Sequence, residues 1–177
     1  LLVHVLVDQE VAGLDELGGR ETPLIAAADH ERVLGCRLQT AVDDHKTVVL
    51  AESDAVPAVD QIELHPAHQQ PATTTFARDH GIHIESWGPL GQAKYPLLED
   101  PAVTAAADAH GKSAAQVVIR WHLQSGFIVF PKTNHRERMV ENFHVFGFEL
   151  TDAEFAAITA LEADGGGRVG SHPDTVN

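Results

Sequence analysis

Three short apolar stretches in the last two thirds of the chain have the pattern of buried β-strands. They cover residues 59–64, 82–86 and 127–130. The third is an unbroken apolar run, which is typical of a parallel strand covered on both faces. Pro66 follows the first stretch and Pro131 ends the third, and neither can donate a ladder hydrogen bond. The pattern therefore predicts strands with defined ends, separated by longer segments.

The segments between these strands carry the start and stop signals of helices. Pro71 and Pro101 suit the first helical position, where a missing N–H costs nothing, and Asp100 can cap the second of these helices. Gly81 and Gly111 are expected to end the two helices, which would then run from residue 71 to about 80 and from 101 to 110.

Three capping boxes predict further helices. The pairs are Ser113 with Gln116, Asn134 with Glu137, and Thr151 with Glu154. The first helix would bury a stripe that contains Val117, Val118, Trp121 and His122, and the last a stripe of Phe155, Ile158 and Leu161. Strand and helix alternate from residue 59 onward, which predicts an α/β fold of parallel strands with right-handed crossovers.

Residues 1–55 do not share this regular pattern. Residues 1–7 and 47–50 are short apolar runs that favour strands, and residues 24–36 favour a short helix. The chain opens on Leu rather than Met, so we interpret it as a fragment and this head as foreign to the fold that follows. The predicted division is an unassigned head at 1–55 and an α/β part at 56–177.

Composition narrows the function classes. With 177 residues, 44% of them hydrophobic, and a mean hydropathy of −0.11, the chain is long enough for one domain with a core. No apolar stretch has the length of a membrane span, and one cysteine, Cys36, fits a reducing compartment, so we expect a cytoplasmic protein. The net charge of −14 argues against nucleic acid as a partner.

The turn after the third predicted strand is a candidate phosphate site. Lys132 follows that strand directly, and Arg138 lies one turn into the predicted helix. The free N–H groups and the positive dipole end of a helix favour an anion at this position. The alternative is that these cations are simply solvated, because strand, turn and capped helix recur throughout α/β proteins.

Several segments in register resemble the aldo/keto reductases, in particular their prokaryotic diketogluconate reductase-like branch. The segments are 59–66 (VDQIELHP), 84–91 (IESWGPLG), 116–122 (QVVIRWH), 130–142 (FPKTNHRERMVEN) and 148–152 (FELTD). The resemblance implies the sixth, seventh and eighth βα units of a (β/α)8 TIM barrel plus a C-terminal helix. It also implies an oxidoreductase that reduces a small aldehyde or ketone with NADPH.

The resemblance assigns cofactor contacts by position. Gln61 matches the residue that bonds the nicotinamide carboxamide, and Trp87 the aromatic on which the ring stacks. The loop over the pyrophosphate is implied to include Gly88, Leu90 and Gln92. The 2′-phosphate and adenine contacts are implied to be Lys132, Thr133, Asn134, Arg138, Glu141 and Asn142. A clamp for the 2′-phosphate implies NADP(H) rather than NAD(H).

No catalytic residue is assigned. The family's Tyr, Lys, Asp and His lie in the half of the barrel that this chain lacks, and its one tyrosine, Tyr95, resembles a loop position. His65 and His68 do not form a metal site in our interpretation, because Pro66 breaks the helix that their spacing would need. Two hypotheses remain: a reductase fragment that carries the cofactor-binding half, or a non-catalytic remnant that at most binds NADP weakly or forms oligomers.

Overall fold

A computed structural model describes residues 56–162 and 166–172 of the chain. The interpretation of residues 1–55 as a foreign head therefore lies outside the described residues.

The described part is built on a parallel sheet. Its strands are β1 (Val59–Glu63), β2 (His83–Trp87) and β3 (Ile128–Val129), in the order β1-β2-β3. Five residues of β1 pair with β2, from Val59 opposite His83 to Glu63 opposite Trp87. The predicted alternation of parallel strands and helices is confirmed, so the carboxyl ends of all three strands lie at one edge.

In the described part of the chain, five α-helices connect and follow the strands. They are α1 (Pro71–Asp79), α2 (Pro101–His110), α3 (Ala114–Gln124), α4 (Arg136–Phe143) and α5 (Asp152–Thr159). Short 3-10 turns at Gly91–Ala93 and Leu97–Glu99 lie between β2 and α2. No helix among the described residues has the length and apolar character of a membrane span.

Most predicted helix ends are confirmed. Asp100 accepts a hydrogen bond from the Ala102 N–H at 2.8 Å, and Gly111 ends α2 in the left-handed conformation at φ 59°. The capping boxes at Ser113 and Thr151 are both complete. These ends were predictable because a cap is set by residues within three positions of one another.

We expect Asp100→Ala to lower the free energy of unfolding by about 1 kcal/mol, the usual cost of an N-cap. The substitution leaves the Ala102 N–H without its side-chain acceptor. Urea denaturation measures the loss. Asp108→Ala is the matched control, since this exposed aspartate lies near the other end of α2. An equal loss in both variants would contradict the role of the cap.

Two predictions around β3 are wrong. The strand covers Ile128–Val129 rather than 127–130, because the Phe127 N–H donates to the His122 carbonyl in the turn from α3. Asn134 does not cap the next helix: His135 is the N-cap, without a side-chain cap bond, and α4 begins at Arg136. The Thr133 hydroxyl accepts the His135 N–H at 3.1 Å and holds the turn instead.

The hydrophobic core lies between the sheet and the helices. Ile62 and Leu64 from β1 and the residue after it, and Ile84 from β2, belong to it. The helices contribute Val103, Val117, Trp121 and Ile158, of which Trp121 is the largest side chain, at 2% exposure. The predicted stripe of α3 is confirmed, whereas Phe155 and Leu161 are only partly buried against the core.

His122 is a buried titratable group within this core. Its Nδ1 lies 2.8 Å from the Val118 carbonyl and its Nε2 lies 3.1 Å from the Leu64 carbonyl, so it joins α3 to the end of β1. Burial lowers the pKa of His122 to about 4, although the two carbonyl contacts act in the opposite direction.

This pKa predicts a pH dependence of stability. The unfolded chain binds a proton at His122 below its ordinary pKa of 6.5, whereas the folded chain does so only near 4. The contribution of neutral His122 to the free energy of unfolding is therefore fully present well above pH 6.5. It is lost as the pH falls from 6.5 to 4, and the loss reaches about 3 kcal/mol. Urea denaturation measured at several pH values in this range should show that the free energy of unfolding depends less steeply on pH in His122→Gln than in the unmodified chain. An equal dependence on pH in the variant and in the unmodified chain would refute the assignment of this effect to His122.

Candidate functional site

A groove opens at the edge of the sheet where β2 and β3 end. Its volume is about 470 Å³. The lining residues are Gln61, Ser86, Trp87, Gly88, Pro89, Leu90, Gln92, Phe130, Pro131 and Lys132. The position follows from the topology, because parallel strands deliver their loops to one edge, where α/β proteins bind ligands.

The groove brings together part of the predicted cofactor-binding set. Gln61, Trp87, Gly88, Leu90, Gln92 and Lys132 all line it. Thr133 and Asn134 lie in the turn that follows, and Arg138, Glu141 and Asn142 lie on α4, beyond the lining residues. The binding roles of all eleven residues remain predictions. Sequence reasoning missed Ser86, Pro89, Phe130 and Pro131 as lining residues, although each adjoins a residue or motif that it singled out.

Gln61 and Trp87 reach the groove from neighbouring strands. Gln61 and Glu85 are opposite each other in the register of β1 and β2, and the Gln61 Nε2 donates to the Glu85 carboxylate. That bond fixes the amide group. Trp87 is the last residue of β2 and is half-buried, so part of its indole surface stays open to a ligand.

The loop after β2 has a constrained backbone. Gly88 and Gly91 have φ of +64° and +71°, and Gln92 and Ala93 share this left-handed conformation at 51° and 56°. A Cβ on Gly88 would lie 3.4 Å from the Gln92 Nε2, so the Gln92 side chain packs over the glycine. Left-handed non-glycine residues each cost on the order of 1 kcal/mol and are frequent at ligand sites.

The turn after β3 and the start of α4 form a basic surface. Lys132 and Arg138 are exposed, as are His135 and Arg136 between them. Gln116 of α3 holds the C-terminal end of α4, since its buried amide donates to the carbonyls of Glu141 at 2.9 Å and His144 at 3.2 Å. The N-terminus of α4 therefore presents positive charge, although the whole chain carries −14.

The described residues offer no metal centre. His65 and His68 are buried side by side, with ring centroids 6.1 Å apart, and the His65 Nε2 lies 3.5 Å from the Glu63 carboxylate. Within 56–162 and 166–172, however, no three His, Cys, Asp or Glu side chains are grouped so as to hold a metal ion. Tyr95 packs beside His65, with ring centroids 6.0 Å apart, and does not line the groove.

Comparisons with known proteins identify the family. The model of the aldo/keto reductase family matches residues 37–163. The match begins before residue 56, and the division of the chain at 55/56 stays a prediction.

Individual relatives agree with the family match. An aldo-keto reductase of Mycolicibacterium smegmatis is 43% identical over 149 residues, which are 84% of this chain and 53% of the relative. The methylglyoxal reductase DkgA of Escherichia coli is 40% identical over 130 residues, which are 73% of this chain and 46% of DkgA. A crystal structure of a Gox0644 mutant in complex with NADPH superimposes with a TM-score of 0.74 at 40% identity and covers 78% of this chain and 50% of that one.

The chain spans about half the length of the curated relatives that it matches. Its parallel strands and helices correspond to part of a (β/α)8 barrel, as the family resemblance implied.

Proposed function

The chain belongs to the aldo/keto reductase family, and from this premise we propose that it binds NADP(H) in the groove beside Trp87 and Lys132. NADPH bound in this groove would serve as the reductant that converts an aldehyde or ketone to an alcohol. One observation carries the proposal: the indole of Trp87, the amide of Gln61 and the ammonium of Lys132 line a single groove, although they come from two neighbouring strands and the turn after the third.

The groove residues fit a dinucleotide. Trp87 offers an indole face on which a nicotinamide ring can stack. Gln61, whose amide donates to the Glu85 carboxylate, lines the groove, and we propose that it hydrogen-bonds the nicotinamide carboxamide. The loop that contains Gly88, Leu90 and Gln92 brings its backbone close to the groove, as a pyrophosphate site needs.

The basic surface supports the phosphorylated form of the cofactor. Lys132 borders the groove, and Arg138 lies on the first turns of α4, beside its positive dipole end. We propose that these two residues and Thr133 hold the 2′-phosphate. Asn134, Glu141 and Asn142 complete the proposed adenosine contacts. Charge-assisted bonds to a phosphate are strong, whereas NAD(H) would leave these cations without a partner.

The chemistry divides between the cofactor and the protein. When bound, NADPH supplies a hydride for a carbonyl carbon. The residues of this chain bind and orient the nicotinamide and adenosine ends. We assign no proton donor, because the motifs that match this family contain none of its catalytic residues.

A binding titration and an activity assay together separate a chain that keeps the cofactor-binding half from a remnant that binds NADPH weakly or not at all. The full chain is titrated with NADPH, and it is also incubated with NADPH and methylglyoxal while the loss of NADPH absorbance is followed. The chain was predicted to lack the catalytic group, so we expect NADPH binding with turnover close to the buffer rate. Turnover that Tyr95→Phe abolishes would show that the chain carries its own acid. Absence of binding would favour the remnant.

Partners and location form the finer part of the proposal. We propose a small carbonyl compound as substrate and the cytoplasm as location. The net charge of −14 and the single cysteine support a small ligand in a reducing compartment rather than nucleic acid.

A further inference from the structure

The segment at residues 166–170 returns from the far end of the chain to the site. The Val169 N–H donates to the Glu63 Oε1 at 2.6 Å, and the Gly170 N–H to the Glu63 Oε2 at 2.9 Å. On its other side the Val169 carbonyl accepts from the Lys94 Nζ at 3.2 Å. This segment therefore joins the end of β1 to the loop after β2, part of which lines the groove.

Glu63 is the anchor of this segment. It is the last residue of β1 and only 2% exposed, and its carboxylate takes one backbone N–H on each oxygen. Burial by itself would raise the pKa of Glu63. The His65 ring, the two N–H groups and the nearby His68 outweigh burial and hold the pKa below its ordinary value. Glu63 therefore stays ionised, and a buried carboxylate binds N–H groups strongly.

The anchored segment packs directly against Trp87. A Cβ on Gly170 would lie 2.2 Å from the Trp87 Cη2 and 2.7 Å from the Glu63 Oε2, so only glycine fits. A Cβ on Gly167 would lie 1.7 Å from the Ala67 carbonyl oxygen. Glu63 and Trp87 are register partners on β1 and β2, and the backbone at Gly170 lies over both.

We propose that Glu63 is a positioning residue for the cofactor: it holds Val169 and Gly170 against the edge of the indole and thereby fixes the face that Trp87 presents to the groove. The inference rests on the proposed binding of NADP(H). Glu63 itself does not line the groove, so it acts through the segment and through Trp87.

The test uses the full chain labelled with 5-fluorotryptophan, which has one resonance for each of its two tryptophans. Glu63→Gln keeps the size of the side chain but replaces one acceptor oxygen with an NH₂ group. Gly170→Ala disturbs the same contact from the other side. Gly147→Ala is the matched control, because a Cβ there meets nothing within 4 Å. Trp87→Phe assigns the spectrum, and the Trp121 resonance reports whether the core remains intact.

We expect both test variants to shift or broaden the Trp87 resonance and to leave that of Trp121 in place. The Kd for NADPH should rise about fivefold to tenfold, the scale of one aromatic contact. Adenosine 2′,5′-bisphosphate, which lacks the nicotinamide, should bind each variant as tightly as the unmodified chain.

Three results would overturn the inference, and they are distinguishable. If Glu63→Gln and Gly170→Ala bind NADPH like the control while the unmodified chain binds it well, Glu63 has no positioning role and the proposed function stands. If the variants lower the affinity for NADPH and for the bisphosphate by the same factor, or shift both tryptophan resonances, Glu63 only supports the fold. If the unmodified chain binds neither ligand, the proposed function fails and the inference with it.

Discussion

Replacing Lys132 and Arg138 together with alanine should raise the Kd for NADPH by at least about 100-fold, since each bond between a charged donor and a phosphate contributes about 1.5 to 3 kcal/mol. Both cations are exposed, on the turn after β3 and on α4. Affinity for NADH should change little, because that cofactor has no 2′-phosphate. Isothermal titration of each variant with both cofactors measures the difference.

Arg78→Ala is the matched control for this experiment. Arg78 is an exposed arginine in the last turn of α1, which contributes no residue to the groove. The control removes one positive charge from the same acidic chain, so a general effect of charge would appear in it. If the double variant binds NADPH as tightly as the control does, Lys132 and Arg138 do not hold the 2′-phosphate. The same conclusion follows if the double variant loses as much affinity for NADH as for NADPH.

Replacing Trp121 with alanine should lower the free energy of unfolding by about 3 to 5 kcal/mol, the range for removing a large aromatic from a core. Trp121 is 2% exposed and packs against His122 with ring centroids 5.0 Å apart. Its Nε1 also donates to the Thr159 hydroxyl at 2.9 Å and so ties α3 to α5. Urea denaturation gives the loss from the shift in midpoint.

Two further variants separate the sources of that loss. Thr159→Val removes the hydrogen-bond acceptor and should cost about 1 kcal/mol by itself. Trp87→Ala replaces the other tryptophan, which is half-buried at the groove, and should cost clearly less than Trp121→Ala. Equal losses at the two tryptophans would mean that the core is not organised around Trp121.

Local signals explain what the sequence predicted well. The caps at Asp100, Ser113 and Thr151 each depend on residues within three positions, and all three form as expected. The strand ends were placed within about one residue for β1 and β2, and parallel strands carry their loops to a common edge. The groove therefore contains Gln61, Trp87 and Lys132, although they are far apart in sequence.

Competition between local signals explains the errors near β3. The pair of Asn134 and Glu137 has the spacing of a capping box, but α4 begins at Arg136 with His135 as its N-cap, and the Thr133 hydroxyl accepts the His135 N–H in the turn before it. The apolar run at 127–130 looked like a full strand, yet Phe127 uses its N–H to close the turn from α3. Sequence patterns state which bonds are available and do not state which of two bonds forms.

Long-range contacts were beyond prediction from sequence. The Gly-rich stretch that begins at Gly165 has no periodicity, and its sequence alone predicts only a loop. Gly170 instead lies against Trp87 and Glu63, and the contact with Glu63 joins residues 107 positions apart. Nothing in the local pattern around Gly170 specifies that partner, because a glycine that permits close approach looks the same as one in a free loop.

The exposed apolar side chains of α4 and of the turn after it are consistent with a partial barrel. Val140, Phe143 and Phe146 are about half exposed, at 49%, 55% and 50%, and none of the residues of α4 is buried. The curated relatives are about twice as long as the matched part of this chain. In a complete barrel, the helix after the eighth strand meets the first βα unit, which corresponds to no residue described here.

The central claim is that the groove beside Trp87 selects NADPH, and one titration tests it most directly. The full chain is titrated calorimetrically with NADPH and with NADH at low and moderate salt. The account predicts saturable binding of NADPH that is clearly tighter than that of NADH, with a preference that narrows as salt screens the exposed cations. Equal affinity for the two cofactors at both salt concentrations, or no binding of NADPH by the folded chain, would contradict it.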